Sequence, residues 1–166
     1  MSQTGDLVKW TWEKKCIKAA ESLEKNGFSA RYCQTGAEAA EYILAEAEDA
    51  HSIGFGGSMS VRDLAVEPRL LEMGKEILNH GAPGLAPEER LEIMRRQLTC
   101  DLFLSGTNAL TLSGFLVNID AIGNRVGSMF FGPRKVIVVA GRNKLVDGDI
   151  TAAMQRVKDW ASPPNA

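Results

Sequence analysis

Three short segments concentrate residues able to hold a small polar ligand. The first is Gly54-Phe-Gly-Gly-Ser-Met-Ser60, between a predicted strand and a predicted helix. Glycines at 54, 56 and 57 let backbone N–H groups approach a ligand, Ser58 adds a hydroxyl, and a helix start favours an anion. No Lys-Ser/Thr follows, so this is not a Walker A loop, and Met59 stands where a dinucleotide fingerprint needs its third glycine. A tight turn needing positive φ is the competing explanation. The second segment is Ser105-Gly-Thr-Asn-Ala-Leu-Thr111. Here Ser105, Gly106, Thr107 and Asn108 follow an apolar strand, as ligand-binding residues do in an α/β crevice. Local turn hydrogen bonding by Thr107 and Asn108 is the alternative. The third is Asn118-Ile-Asp-Ala-Ile-Gly-Asn-Arg125. Asn118 and Asp120 are two apart in a predicted strand and so share a face. Asn124 and Arg125 follow at a helix start, and Arg125 suits a carboxylate or phosphate. It would equally pair with Asp120 and lock the loop.

The elements that must carry these loops are legible in the patterning. Asp6 to Asn26 reads as a helix with Leu7, Trp10, Ile17, Ala20 and Leu23 along one face and Gly27 as its stop. Residues 28–34 alternate as a strand. Thr35 and Glu38 have capping-box spacing and open a helix to about Glu48. His51 to Phe55 is a short strand, Ser60 to Ala65 a helix with Ser60 and Asp63 as a second capping box, and Glu76 to Asn79 a strand. Pro87 suits a first helical position, with Glu88-Glu89 and Arg95-Arg96 complementing the two ends of the helix. Strands follow at Asp101–Ser105, Leu116–Asp120 and Lys135–Ala140. The last is a continuous apolar run expected to be fully buried. Ala121–Met129 and Ile150–Trp160 are predicted helices, the latter capped by Asp149, and residues 161–166 form an irregular tail. Alternating strands and helices imply one α/β domain over residues 1–166, three-layered, its sheet mostly parallel and covered on both faces.

Composition narrows the function classes. The chain has 166 residues, with 24% charged residues and a net charge of -2. Its basic pairs, Lys14-Lys15, Arg95-Arg96 and Arg134-Lys135, are scattered, which does not favour nucleic acid as a partner. The N-terminus lacks an apolar signal core, and the longest apolar run, Val136 to Ala140, is strand-sized. A cytoplasmic protein without membrane insertion is expected. Cys16, Cys33 and Cys100 form no CxxC pair, arguing against a disulfide framework or a cysteine-held metal, and Cys16 and Cys33 read as core residues. His51 and His80 lack metal-ligand spacing and read as residues of strand starts or loops. No metal site is expected.

Five collinear motifs resemble the LUD (lactate-utilisation) domain family. They are Ile53-Gly-Phe-Gly-Gly-Ser-Met59, Asp101-Leu-Phe-Leu-Ser-Gly-Thr-Asn-Ala109, Leu116-Val-Asn-Ile-Asp120, Gly123-Asn-Arg-Val126 and Phe131-Gly-Pro-Arg-Lys-Val-Ile-Val-Val139. The resemblance covers roughly residues 35 to 160. It implies a fold like that of ribose-5-phosphate isomerase, glucosamine-6-phosphate deaminase and the CoA transferases. It further implies a setting in L-lactate oxidation beside iron–sulfur partner proteins. Some relatives continue into a cysteine-containing tail, so the resemblance implies a chain cut short at Ala166. CoA transferases use a glutamate nucleophile, but the three loops contain none. Asp120, the carboxylate aligned with the polar cluster, is therefore the candidate base or acceptor for a ligand hydroxyl.

The leading functional expectation is a subunit that binds a small acidic or phosphorylated ligand in organic-acid utilisation. It would hold no cofactor itself, the redox cofactors residing on its partners. The alternatives are a stand-alone isomerase- or transferase-like enzyme on a sugar phosphate or CoA ester, and a regulatory ligand-binding module. Self-association is left open.

Overall fold

The computed structural model describes residues 3–163 and divides into two compact units. The larger comprises Thr35–Gly106 and Ile119–Val139. Its centre is a four-stranded, all-parallel sheet in the order β2-β1-β3-β6. The strands are β1 (Ser52–Phe55), β2 (Glu76–Asn79), β3 (Leu102–Gly106) and β6 (Lys135–Val139). Five helices belong to this unit: α2 (Gly36–Glu46), α3 (Met59–Arg62), α4 (Val66–Glu72), α5 (Pro87–Gln97) and α6 (Asn124–Phe130).

Strand pleat decides which helices cover which face. Ile53 and Phe55 of β1 and Leu102 and Leu104 of β3 pack with Ile43 and Leu44 of α2, Val61 of α3 and Leu70 of α4. The intervening Phe103 turns to the other face, with Leu78 and Cys100 and against Ile93 of α5 and Met129 of α6. Because β3 is buried along its whole length, its sequence is a near-continuous apolar run. The three-layer α/β architecture expected from the patterning is thus realised.

Local signals set several element ends. Thr35 caps α2 by accepting a hydrogen bond from the Glu38 amide at 3.2 Å. Pro87 opens α5, Glu89 Oε2 accepts from the Ala86 amide at 2.8 Å, and Arg95 and Arg96 lie in the last turn. The next helix starts earlier than predicted. Ser58, rather than Ser60, caps α3, accepting from the Val61 amide, and α3 is a single turn. Helix α4 follows at once through Ala65, a non-glycine residue held at φ 49°. Neither Gly nor a capping side chain marks that junction, so the helix predicted over 60–65 covers only the end of α3 and the junction, and α4 is an element the patterning did not predict. Strand β6 is only half-buried, because it is an edge strand of this sheet.

The smaller unit comprises the described residues up to Gln34, Thr107–Asn118, and those from Ala140 onward. Its long helix α1 spans Gln3–Lys25. The predicted apolar face is only partly used: Ile17, Ala20 and Leu23 are half-buried, whereas Leu7 and Trp10 are more than half exposed, and Ala19, which is not on that face, is buried. Asn26, just past α1, donates from Nδ2 to the Ser113 carbonyl at 3.0 Å and the Gly114 carbonyl at 3.1 Å. Residues 28–34, predicted as a strand, form none and join neither sheet. Their alternation is real, but no strand edge receives it. A second sheet, ordered β5-β4-β7, holds β4 (Ala109–Thr111), β5 (Leu116–Val117) and β7 (Leu145–Val146). Helix α7 (Ile150–Arg156) packs Ala153 on Ala109, and Asp149 caps it as predicted, accepting from the Ala152 amide at 3.0 Å. A π-helical turn, Val157–Ala161, replaces the expected α-helical end and takes in Ala161, so the tail starts later than predicted. Pro164, Asn165 and Ala166 of that tail lie outside the described residues. Cys16 and Cys33 are half-buried rather than core, while Cys100 is buried. No helix among the described residues is long and apolar enough to cross a membrane.

Candidate functional site

The first and third loops meet the end of the second within the larger unit. Strands β1 and β3 are parallel neighbours, so the segments leaving Phe55 and Gly106 emerge at the same end of the sheet. Gly56 sits at their junction. Its amide donates to the Leu104 carbonyl at 2.9 Å. A methyl group built on Gly56 would lie 2.9 Å from Phe103 Cζ, 3.0 Å from Ser105 Oγ and 3.3 Å from Arg125 Cγ. Ser58 and Gly106 are equally close: a Cβ on Gly106 would fall on the Ser58 hydroxyl. Absence of side chains at 56 and 106 is therefore what lets the three segments converge.

The remaining loop residues divide by role. Gly54 is inside β1, where a Cβ would meet Phe103 at 2.8 Å; its smallness serves sheet packing. Ser105 is fully buried, with Oγ 3.2 Å from the Gly106 carbonyl. Asn124 is the first residue of α6, and its carbonyl accepts from Ser128 Oγ at 3.1 Å. Asp120 and Arg125 pair with each other. Arg125 donates to Asp120 Oδ1 from Nε at 2.8 Å and from Nη2 at 2.6 Å, and the Val126 amide donates to Asp120 Oδ2 at 2.7 Å. Three donors thus take the two carboxylate oxygens. Of the two roles the sequence left open for Arg125, the loop lock is the one this geometry displays.

Thr107, Asn108 and Asn118 belong to the smaller unit. Thr107 is buried, its Oγ1 within 2.9 Å of the Ala109 carbonyl and 3.2 Å of the Val117 carbonyl. The Asn108 carbonyl accepts from Arg156 Nη1. Asn118 Oδ1 is buried without a hydrogen-bond partner among the described residues. Two corrections follow. Ala109–Thr111 is strand β4, so the second loop is only Thr107-Asn108. Strand β5 stops at Val117, so Asn118 and Asp120 do not share a strand face.

A cavity of about 340 Å³ opens in the larger unit where β1 and β2 end, lined by Gly57, Ser58, Arg62, Glu67 and Asn79 among others. Gly57 holds φ 72°, the left-handed region that suits glycine. Arg62 makes only a 3.8 Å contact from Nη1 to Met59 Sδ, and no ion pair to a carboxylate engages it among the described residues. Asn79 is held from both ends, donating to Glu67 Oε2 at 2.9 Å and accepting from the Gly81 amide at 3.0 Å. Ala65, in its left-handed conformation, also lines the cavity, and strain of this kind costs roughly 1–2 kcal/mol.

Next to Gly57 stands His80. Its Nε2 lies 3.8 Å from where a Gly57 Cβ would be, and its Nδ1 is 3.2 Å from Gln97 Oε1. Burial pushes the imidazole pKa below its ordinary value; the Gln97 hydrogen bond opposes this, while the Arg90 and Arg62 guanidiniums reinforce it. Sequence reading gave Arg62 no role and took His80 for a loop or strand-start residue. Neither sits in a motif, and only the fold carries them to the glycine loop.

The sequence matches the LUD domain family over residues 16–166. The chain belongs to the LUD domain family. That family is associated with lactate utilisation. No curated protein sequence and no solved structure matches the chain. Within this LUD domain the glycine-rich motif does two different jobs, and two substitutions separate them. Gly56→Val should destabilise by about 2–4 kcal/mol, because Phe103 is fully buried and cannot yield. Gly57→Ala has space for its methyl and should cost only about 1–2 kcal/mol of backbone strain. Thermal melts of the two variants check this. Equal losses would mean that both glycines serve packing alike.

Proposed function

We propose that this LUD domain is a subunit that binds a small acid in lactate or organic-acid utilisation, working beside iron–sulfur redox partners. The observation carrying this reading is the cavity at the ends of β1 and β2. It offers the Arg62 guanidinium without a carboxylate partner, beside the Ser58 hydroxyl and the Gly57 backbone. A guanidinium is suited to a carboxylate or phosphate, and pairing with a ligand would use its unspent donors. The anion is assigned to Arg62 rather than Arg125, because Arg125 is already engaged by Asp120.

Oxidising a hydroxy acid removes two electrons, and a flavin, nicotinamide or metal cluster must take them. Among the described residues no group of His, Cys, Asp and Glu could hold a metal ion. In this proposal the redox centres belong to the partner proteins. An absorbance spectrum of the purified chain should carry no flavin or iron–sulfur band. Dye reduction with L-lactate should require added partner proteins. A stoichiometric chromophore, or lactate turnover by the chain alone, would overturn the accessory-subunit reading.

A further inference from the structure

Helix α4 divides its two leucines. Leu70 is fully buried in the core, whereas Leu71 is 56% exposed and lines the cavity at the ends of β1 and β2. Residues three and four apart adjoin on a helix surface, so Leu71 continues a wall begun by Glu67 and Pro68. Exposed Ala65, at the junction of α3 and α4, also lines the cavity. The cavity therefore combines apolar side chains open to solvent with the Arg62 guanidinium, which has no carboxylate partner among the described residues. Among the described residues lining it, Arg62 is the one cation and Glu67 the one carboxylate, and no ion pair joins them. Its volume, about 340 Å³, exceeds what a three-carbon acid needs. At about 30 Å³ per non-hydrogen atom, the share of a water molecule in the liquid, lactate fills roughly half of it and an acid of about six to eight carbons fills most of it.

We propose that the cavity takes monocarboxylic acids with an apolar body of about six to eight carbons, and that it rejects dicarboxylic acids of the same length. The inference rests on the acid-binding reading of the cavity and names the class of acid. Arg62 holds the carboxylate, and the hydrocarbon body lies along Ala65, Pro68 and Leu71. Both the chain and the exposed Leu71 side chain then leave water, which is the driving force a three-carbon acid is too short to collect. A second carboxylate at the far end of the chain would find no cation. It would meet instead an apolar wall and the like charge of Glu67. Glu67 Oε2 is held by Asn79, which keeps this carboxylate at the cavity.

The test titrates the intact chain with acetate, butyrate, hexanoate, octanoate and adipate, followed by amide chemical shifts. Affinity should rise about two- to fourfold for each added methylene, the transfer value of a CH2 group, and level off near octanoate. Adipate, as long as hexanoate but with a carboxylate at each end, should bind about tenfold or more weakly than hexanoate. Leu71→Ser should flatten the chain-length series; Leu71 is exposed, so the fold survives the change. Glu67→Gln keeps an acceptor for Asn79 and should narrow the gap between adipate and hexanoate. Acids that bind with no dependence on length would overturn the inference and leave the acid-binding reading standing. So would a chain-length series that Leu71→Ser does not alter, or adipate binding as well as hexanoate. Arg62→Gln should weaken every acid in the series. Undiminished binding in that variant, or failure of all these acids to bind the unaltered chain, would instead bring down the acid-binding reading, and this inference with it.

Discussion

Replacing Gly132 with alanine is expected to cost about 4 kcal/mol or more, the largest effect of any single methyl group in the larger unit. Gly132 follows α6 and leads into β6 at φ 127°, a conformation that L residues rarely adopt. The conformational penalty is the smaller part. A Cβ there would lie 1.9 Å from the Leu98 carbonyl oxygen and 2.9 Å from its carbonyl carbon. Both are backbone atoms at the end of α5, so no side chain can swing away. Either α5 or the α6–β6 turn must shift, and each is packed on the Phe103 face of the sheet. For a chain of this size the melting temperature should fall by about 8–16 °C. Gly123→Ala is the control. It has a positive φ of 78° but open space around its Cβ, so it should cost only about 1–2 kcal/mol. A melt in which the two variants lose the same amount would show that contact with α5 is not what Gly132 provides.

The second large effect belongs to Asp120 and Arg125. Their side chains are 8% and 14% exposed, so the pair is mostly withdrawn from water. Arg125 also reaches the Ile119 carbonyl from Nη2 at 3.2 Å, and Asp120 ties down the Val126 amide in the first turn of α6. Asp120→Ala strands a guanidinium and an amide donor together. The expected loss is about 3 kcal/mol, or roughly 6–12 °C in melting temperature. Arg125→Lys should fare little better, because an ammonium cannot make the paired contacts of a planar fork. A double-mutant cycle reads the coupling directly, and about 1.5–3 kcal/mol is expected. Additive losses would show that the two charges do not support each other, and Arg125 would then be available to a ligand. This distinction matters for function. The same Arg125 Cγ limits the space at Gly56, so the lock shapes the floor of the loop cluster.

Part of each motif lies at one end of the sheet in the larger unit, while Thr107, Asn108 and Asn118 belong to the smaller unit. Strand–glycine–helix punctuation was enough to bring residues 54–58, 105–106 and 124–125 to one end of the sheet, since parallel strands must release their loops on the same side. Inside that cluster, several glycines and polar side chains turned out to answer local demands. Gly54 accommodates Phe103, Ser105 is sealed off from solvent, and Asp120 holds Arg125. A motif records that a position is restricted; it does not record whether a neighbour or a ligand restricts it.

By itself the sequence determined the elements whose cause is local: α2 from its Thr35 cap, α5 from Pro87 and its charged ends, α7 from Asp149, and the buried strands from their apolar runs. It also determined family and layer order, because alternating strands and helices admit few parallel arrangements. Tertiary structure decided the rest. Residues 28–34 alternate like a strand yet belong to neither sheet, since a strand exists only where a neighbouring edge accepts it. It decided, too, that Arg62 rather than Arg125 faces the cavity, and that His80 stands at Gly57 with Gln97 behind it. Those facts depend on contacts between residues 17 to 42 positions apart. Spacing along the chain encodes helix and strand periods, but a side chain's partner across the sheet is set only when the strands have aligned.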